Sequence, residues 1–309
     1  MAGGRIMMHH DVDRFVQLNR ALGKKFVERE TSLRAFADFA AERSIEHVTV
    51  GLVLEWAGGA SSPTAAQTRF EQARALAVFL HAEDARHEIP AAGLLGRTRR
   101  KRPAPHIMTP RQISRIMQEA LKVSGRAPIS PLTYHNLFGL LASTGLRISE
   151  ALSLQCDDLT AEGLLVRKSK FGKSRLVPIH TSTRAALERY LEARNAIRSA
   201  SDDLFILGHG HSPTRTRVHV VFVRIVRKLG YRSPTGPGPR LHDLRHTFAV
   251  RSLEACGSNP QAVLRHIKAL STYLGHVEIA NTYWYLEATP VLLKMIASTA
   301  EENWIGGAA

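Results

Sequence analysis

Apolar residues recur at helical spacing over most of this chain. Leu33, Phe36, Ala37, Ala40 and Ala41 fall on one face after a possible cap at Thr31, and Phe70, Ala73, Leu76, Ala77 and Leu80 do the same after Ser62-Pro63. These stripes predict a small helical bundle. Further on, 112–122 and 133–143 read as helices, a short helix starts around Arg147 and ends by 152–154, and helical spacing resumes from Thr183. In between, the period changes. Leu164-Leu165-Val166, the turn-like Phe171-Gly172-Lys173-Ser174 and Leu176-Val177-Pro178-Ile179 predict a short hairpin with a basic tip, and Pro178 confines its second strand to an edge. The expected fold class is mostly α with a small β-hairpin or sheet, without internal repeats.

The pattern breaks at 97–105, where Arg97, Arg99, Arg100, Lys101 and Arg102 run into Pro103 and Pro105. Clustered like charge and proline both oppose compact regular structure. A basic linker is therefore expected between a helical domain at 1–96 and a second domain at 106–309. A chain of 309 residues, 44% hydrophobic, can bury two such cores. Its formal charge of +15 points to a polyanionic partner, since Lys and Arg that neutralise phosphates release counterions and so drive binding. Residues 1–96 hold 11 Lys/Arg against 12 Asp/Glu, a net charge of −1. Contact with a nucleic acid is thus expected to concentrate in the linker and the second domain.

Cys156 and Cys256 stand far apart and are the only cysteines, which supports neither a disulfide framework nor a cysteine zinc site. Residues 1–15, with His9, His10, Asp11, Asp13 and Arg14, lack the apolar stretch of a leader. No apolar run approaches the ~20 residues of a spanning helix. The expectation is a soluble, cytoplasmic protein with no membrane partner.

The chemistry lies in a series of motifs. Thr144-Gly145-Leu146-Arg147-Ile148-Ser149-Glu150 is followed by the basic hairpin. The Pro- and Gly-rich loop at 233–239 leads into His242-Asp243-Leu244-Arg245-His246-Thr247, and Leu274-Gly275-His276 precedes Tyr285 by nine residues. In this order the motifs resemble the tyrosine recombinase, or phage integrase, family. The resemblance covers about 110–290 strongly and 1–96 only through helical patterning and position. It implies catalytic residues at Arg147, Lys170, His242, Arg245, His276 and Tyr285. The spacing from His276 favours Tyr285 over the neighbouring Tyr283. At the hairpin, Lys170 sits just before the turn, which leaves Lys168, Lys173 and Arg175, with the linker cations, as DNA-phosphate contacts.

These residue types suit transesterification at phosphorus. A five-coordinate phosphorus carries extra negative charge on its non-bridging oxygens, and the planar forks of Arg147 and Arg245 are always charged and can hold it. A tyrosine of pKa ~10 is only about 0.1% phenolate at neutral pH, a shortfall of about 4 kcal/mol. His242 is the candidate to accept the phenol proton, His276 to hydrogen-bond a non-bridging oxygen and Lys170 to protonate the leaving 5′ oxygen. A phosphotyrosine keeps the energy of the broken bond, so no cofactor, ATP or metal is expected. Glu150 and Asp243 are expected to orient Arg147 and the histidines, or else to be helix-surface carboxylates.

Other signals carry less. His242 and His246 resemble a zinc-protease pair, but that motif has Glu where Asp243 stands. Gly172-Lys173-Ser174 ends like a P-loop but lacks the earlier glycine, having Arg167 there. His209, His211, His9 and His10 have no cysteine or carboxylate partners at ligand spacing. Val291, Leu292, Met295 and Ile296 form an apolar stripe that either packs on its own domain or, as the resemblance implies, docks on a neighbouring protomer. The resemblance further implies two domains that together encircle duplex DNA, a tetramer on two paired sites, and site-specific recombination, with a lean toward a mobile element. Type IB topoisomerase-like relaxation and a catalytically inactive DNA-binding protein are the rival readings.

Overall fold

The computed structural model describes residues 3–24, 26–96, 104–124, 128–167, 174–197, 201–256 and 260–275, together with Glu278, Thr282 and Tyr285. The chain divides into two compact units, Met1–Arg102 and Pro103–Ala309. Arg97, Arg99, Arg100, Lys101 and Arg102 of the linker lie outside the described residues. So do Lys168, Lys170 and Lys173 of the hairpin tip, His276, Tyr283 and the stripe at 291–296.

The first unit is built from helices α1 (Gly3–Ala21), α2 (Val27–Ala41), α3 (Val50–Gly58) and α4 (Pro63–His81). Helix α4 starts where Ser62-Pro63 predicts: Ser62 Oγ accepts the Ala65 N–H at 3.2 Å, and Pro63 occupies a position whose missing N–H costs nothing. Thr49 caps α3 in the same way. Thr31 is not a cap. It lies inside α2, and its hydroxyl donates to the Val27 carbonyl at 3.2 Å, so the helix begins a turn earlier than the apolar stripe suggests. Met8, Val12 and Val16 of α1 pack with Leu33 and Phe36 of α2, Val53 of α3 and Phe70 and Leu76 of α4 in one buried core.

The second unit begins with α5 (Pro110–Ala120), α6 (Ile129–Thr144) and α7 (Ile148–Leu152), followed by strands β1 (Leu159–Thr160), β2 (Gly163–Val166) and β3 (Arg175–Val177). Helices α8 (Thr181–Asn195), α9 (Arg215–Lys228), α10 (Asp243–Glu254) and α11 (Pro260–Leu274) complete it. A reciprocal Thr109–Gln112 cap starts α5. The sheet is antiparallel in the order β1-β2-β3, with Leu164 opposite Val177 and Val166 opposite Arg175. β3 is an edge and stops before Pro178, which has no N–H to extend the ladder. β1 adds a third strand to the expected hairpin. The main core joins Tyr134 and Phe138 of α6 to Tyr190 of α8, Phe205, and Phe222 of α9.

A second core, formed by Ala249, Val250 and Leu253 of α10 with Ile267, Leu270 and Leu274 of α11, also holds Tyr285. Helix α6 ends at Gly145, whose φ of +62° is the left-handed conformation that favours glycine. A Cβ there would lie 2.6 Å from the Phe248 ring. This close turn carries the chain from α6 directly to Arg147. Among the described residues, no helix is long and apolar enough to cross a membrane.

Candidate active site

Three elements bring the described candidates together: the α6–α7 turn supplies Arg147, α10 supplies Arg245 with His242 at its cap position, and the core between α10 and α11 supplies Tyr285. Arg245 is 2% exposed. Its Nη1 donates to the Gly145 carbonyl at 2.7 Å and its Nη2 to the Leu274 carbonyl at 2.8 Å. Arg147 donates to the same Leu274 carbonyl at 3.4 Å and to the Gly275 carbonyl at 3.2 Å. Both guanidiniums are thus anchored by helix-end carbonyls, which lack partners within their helices and carry the negative end of the dipole. Burial, and then the charge of Arg147, push the Arg245 pKa down to about 10, still well above neutrality. Two cations held this close create a field that an anion relieves.

Tyr285 is buried at 3% exposure, and its hydroxyl is hydrogen-bonded to Arg245. The His246 ring lies 5.6 Å from the Tyr285 ring and 4.5 Å from that of His242, edge-on. His242 is exposed in the wall of a cleft of about 530 Å3, which Arg215, His219, Arg240 and Arg245 also line. Protein crowding its inner edge, and then Arg245, lower the His242 pKa to about 4, a depression that water in the open cleft partly screens. Burial and the neighbouring His242 lower that of His246 to about 3. Both rings are neutral at working pH.

These depressed values predict an acid-sensitive fold. Unfolded histidines take up protons as pH falls through about 6.5, whereas these two resist until about 4 and about 3. The unfolded state therefore binds more protons across that window, and stability is lost as pH drops from 6.5 toward 4. After screening, the loss at pH 5 is on the order of 1 kcal/mol per ring. Thermal melts at pH 7 and pH 5 are expected to differ by several degrees, and His246→Phe to narrow that difference. Identical pH dependence in both proteins would count against it.

Glu150 holds Arg147 twice, accepting its backbone N–H at 2.9 Å and its Nη1 at 2.8 Å. Asp243 differs from expectation. Its carboxylate grips Arg240, taking the backbone N–H at 2.7 Å and two side-chain bonds at 3.2 and 2.9 Å, so it orients that cation rather than Arg147 or the histidines. Arg175, expected at a DNA phosphate, is instead tied to Glu150 and to the Tyr273 carbonyl, with its side chain 13% exposed. Arg215, His219 and Arg240 in the cleft wall, and His246 beside Tyr285, are candidate functional positions that no motif in the sequence marks. The signal for the first two is only the i, i+4 pair that follows Thr214, the cap of α9.

Among the described residues, His47, Asp84 and His87 of the first unit gather metal-ligand types. The group is a poor cation site. His87 Nδ1 accepts the Val48 N–H at 3.0 Å, so in the neutral ring Nε2 carries the hydrogen, and Asp84 is already paired with Arg86.

The chain is similar to known integrases and recombinases over most of its length. Residues 106–290 match the Phage integrase family. The chain is 38% identical over 304 residues to the putative integrase/recombinase y4rB of Sinorhizobium fredii, covering 95% of this chain and 96% of that protein. It is 28% identical over 265 residues to the tyrosine recombinase XerD of Brucella suis, covering 84% and 82%. The integrase of the transposon Tn1549, solved with transposon right end DNA, shares the fold with a TM-score of 0.66 at 19% identity, over 96% of this chain and 99% of that one. The XerH site-specific recombinase bound to its difH substrate does so at 0.64 and 19%, over 88% and 78%. With two anchored arginines beside a buried tyrosine, and with these relatives along nearly its whole length, the chain belongs to the phage integrase family of tyrosine recombinases, which are site-specific DNA recombinases.

Proposed function

We propose that this chain cuts and rejoins duplex DNA at a chosen sequence through a covalent bond to Tyr285. The observation that carries the proposal is the Tyr285 hydroxyl hydrogen-bonded to Arg245, which shares the Leu274 carbonyl with Arg147. In this reading the scissile phosphate lies between the two guanidiniums. Tyr285 Oη attacks phosphorus, the bond to the 5′ oxygen breaks, and a 3′ phosphotyrosine forms. The neutral ring of His242 takes the phenol proton, Lys170 supplies one to the departing oxygen, and His276 donates to a non-bridging oxygen. Attack by a partner strand's 5′ hydroxyl reverses these steps and releases Tyr285. The linker cations, Lys168 and Lys173 hold phosphates farther along the duplex. A tetramer on two paired sites performs two such exchanges in turn, and the resemblance to y4rB and to a transposon integrase supports a role in a mobile element.

The test is covalent capture. Purified protein is mixed with a library of nicked random duplexes, without metal or ATP, and DNA that survives SDS on the protein is sequenced. A shared sequence among the captured duplexes is the expected result. Capture without sequence preference would favour topoisomerase-like relaxation, and tight binding without capture would favour a non-catalytic binder.

A further inference from the structure

The last carbonyls of α11 face three arginines in succession. Tyr273 O accepts from Arg175 Nε at 2.9 Å, Leu274 O from Arg245 and Arg147, and Gly275 O from Arg147. Opposite this helix end, Arg175 donates from Nη1 and Nη2 to the two oxygens of Glu150, at 3.1 and 3.0 Å, while the same carboxylate holds Arg147. Tyr273 returns the tie, its hydroxyl donating to the Pro178 carbonyl just past β3 at 3.1 Å. Burial pushes the Tyr273 pKa up to about 12, so that hydroxyl keeps its proton at any working pH.

We propose that Arg175 is a positioning residue for strand cleavage and not a phosphate contact, an inference that rests on the recombinase reading above. It fixes Glu150 against the end of α11, so that Arg147 and Arg245 meet the scissile phosphate in one arrangement. The charge logic is specific. One carboxylate shared by two guanidiniums leaves Arg147 with cationic character toward the cleft. With Arg175 gone, Glu150 pairs with Arg147 alone, offsets its charge and draws it aside. Three of the five N–H donors of Arg175 are already engaged and its side chain is 13% exposed, which leaves little of its planar fork to present to DNA.

Gly275 belongs to the same device. Its φ of +65° is left-handed, and a Cβ there would lie 2.7 Å from Arg175 Nη1 and 2.9 Å from its Cζ. Only glycine lets that guanidinium lie across the helix end.

The experiment uses the full chain and the duplex recovered by covalent capture. Arg175→Gln, Arg175→Lys, Gly275→Ala and the Arg175→Gln/Gly275→Ala double variant are compared in single-turnover cleavage at saturating protein, and in affinity across a series of NaCl concentrations. Arg175→Gln and Gly275→Ala are each expected to slow cleavage by about ten- to hundredfold, the scale of a misplaced catalytic group. The double variant should be no slower than the worse single one, since both break one contact set. Arg175→Lys should recover part of the rate. The slope of log affinity against log salt should stay unchanged, whereas losing a phosphate contact lowers it by about 1.

A second substrate excludes a merely structural role. With an uncharged methylphosphonate at the scissile position there is less charge to hold, and the Arg175→Gln deficit should shrink by about tenfold or more. Unchanged cleavage, a slope reduced by about 1, or an equal deficit on both substrates would each overturn the proposal. Absence of cleavage by the wild-type chain itself is a separate outcome, and it would sink the recombinase reading along with this inference.

Discussion

Tyr285→Phe is expected to yield a protein that folds and binds duplex DNA yet forms no SDS-resistant adduct. The ring is 3% exposed among Ala249, Leu253, Ile267 and Leu274, and phenylalanine fills the same space. Only the hydroxyl is lost, with its hydrogen bond to Arg245, at a cost of about 1 kcal/mol. The chemical loss is complete, because no other atom of that side chain can bond to phosphorus. Tyr283→Phe is expected to keep forming adducts. Gel analysis of labelled nicked duplex after SDS treatment decides between them. Adducts that survive Tyr285→Phe and vanish with Tyr283→Phe would move the nucleophile two residues back.

Arg245→Lys is expected to combine a large kinetic loss with a structural one. Removing a single donor to a developing oxyanion costs about 2.7 to 4 kcal/mol, so cleavage at saturating protein should fall by roughly a hundred- to a thousandfold. Lysine keeps the charge but has one compact head, which cannot span the Gly145 and Leu274 carbonyls while also facing the phosphate. A buried carbonyl left without a donor costs about 1 to 3 kcal/mol, which denaturant unfolding will register. Arg147→Lys is the contrast. Its side chain is 27% exposed, so water replaces the lost donors and the stability loss should be much smaller, with a similar kinetic defect. Equal stability losses in the two variants would contradict the buried-anchor account.

The same distinction between local and distant causes explains what the sequence made legible. Ser62-Pro63, the hairpin and the edge character forced by Pro178 act over a few residues, and each reads directly from the chain. The motifs around Arg147, Arg245 and Tyr285 are legible because each is a short local run, and their order along the chain is that of the family. Helix α1 is hard to read from the sequence although Met8, Val12, Phe15 and Val16 lie on one buried face, because His9, His10, Asp11 and Asp13 interrupt the stripe. Helix α3 is short and apolar nearly all round, which leaves no period to detect.

Electrostatic partnerships were the least legible. Nothing in the local sequence says that Arg175 meets a carboxylate twenty-five positions earlier, or that Asp243 turns toward Arg240 rather than a histidine. Three-dimensional packing decides which cation a carboxylate finds. A basic residue near a catalytic motif therefore reads as a DNA contact by default, although folding can enlist the same charge, as it does that of Arg175.

The anchoring of Arg147 and Arg245 by main-chain oxygens has a consequence for engineering. Peptide carbonyls are common to every residue, so the side chains on the outward face of α11, such as the exposed Leu264, can be exchanged without touching the contacts that hold Arg147 and Arg245. A library randomised on that face and held constant at Gly145 and Gly275 would explore new protein surfaces, and hence new assemblies, on an unaltered chemical centre.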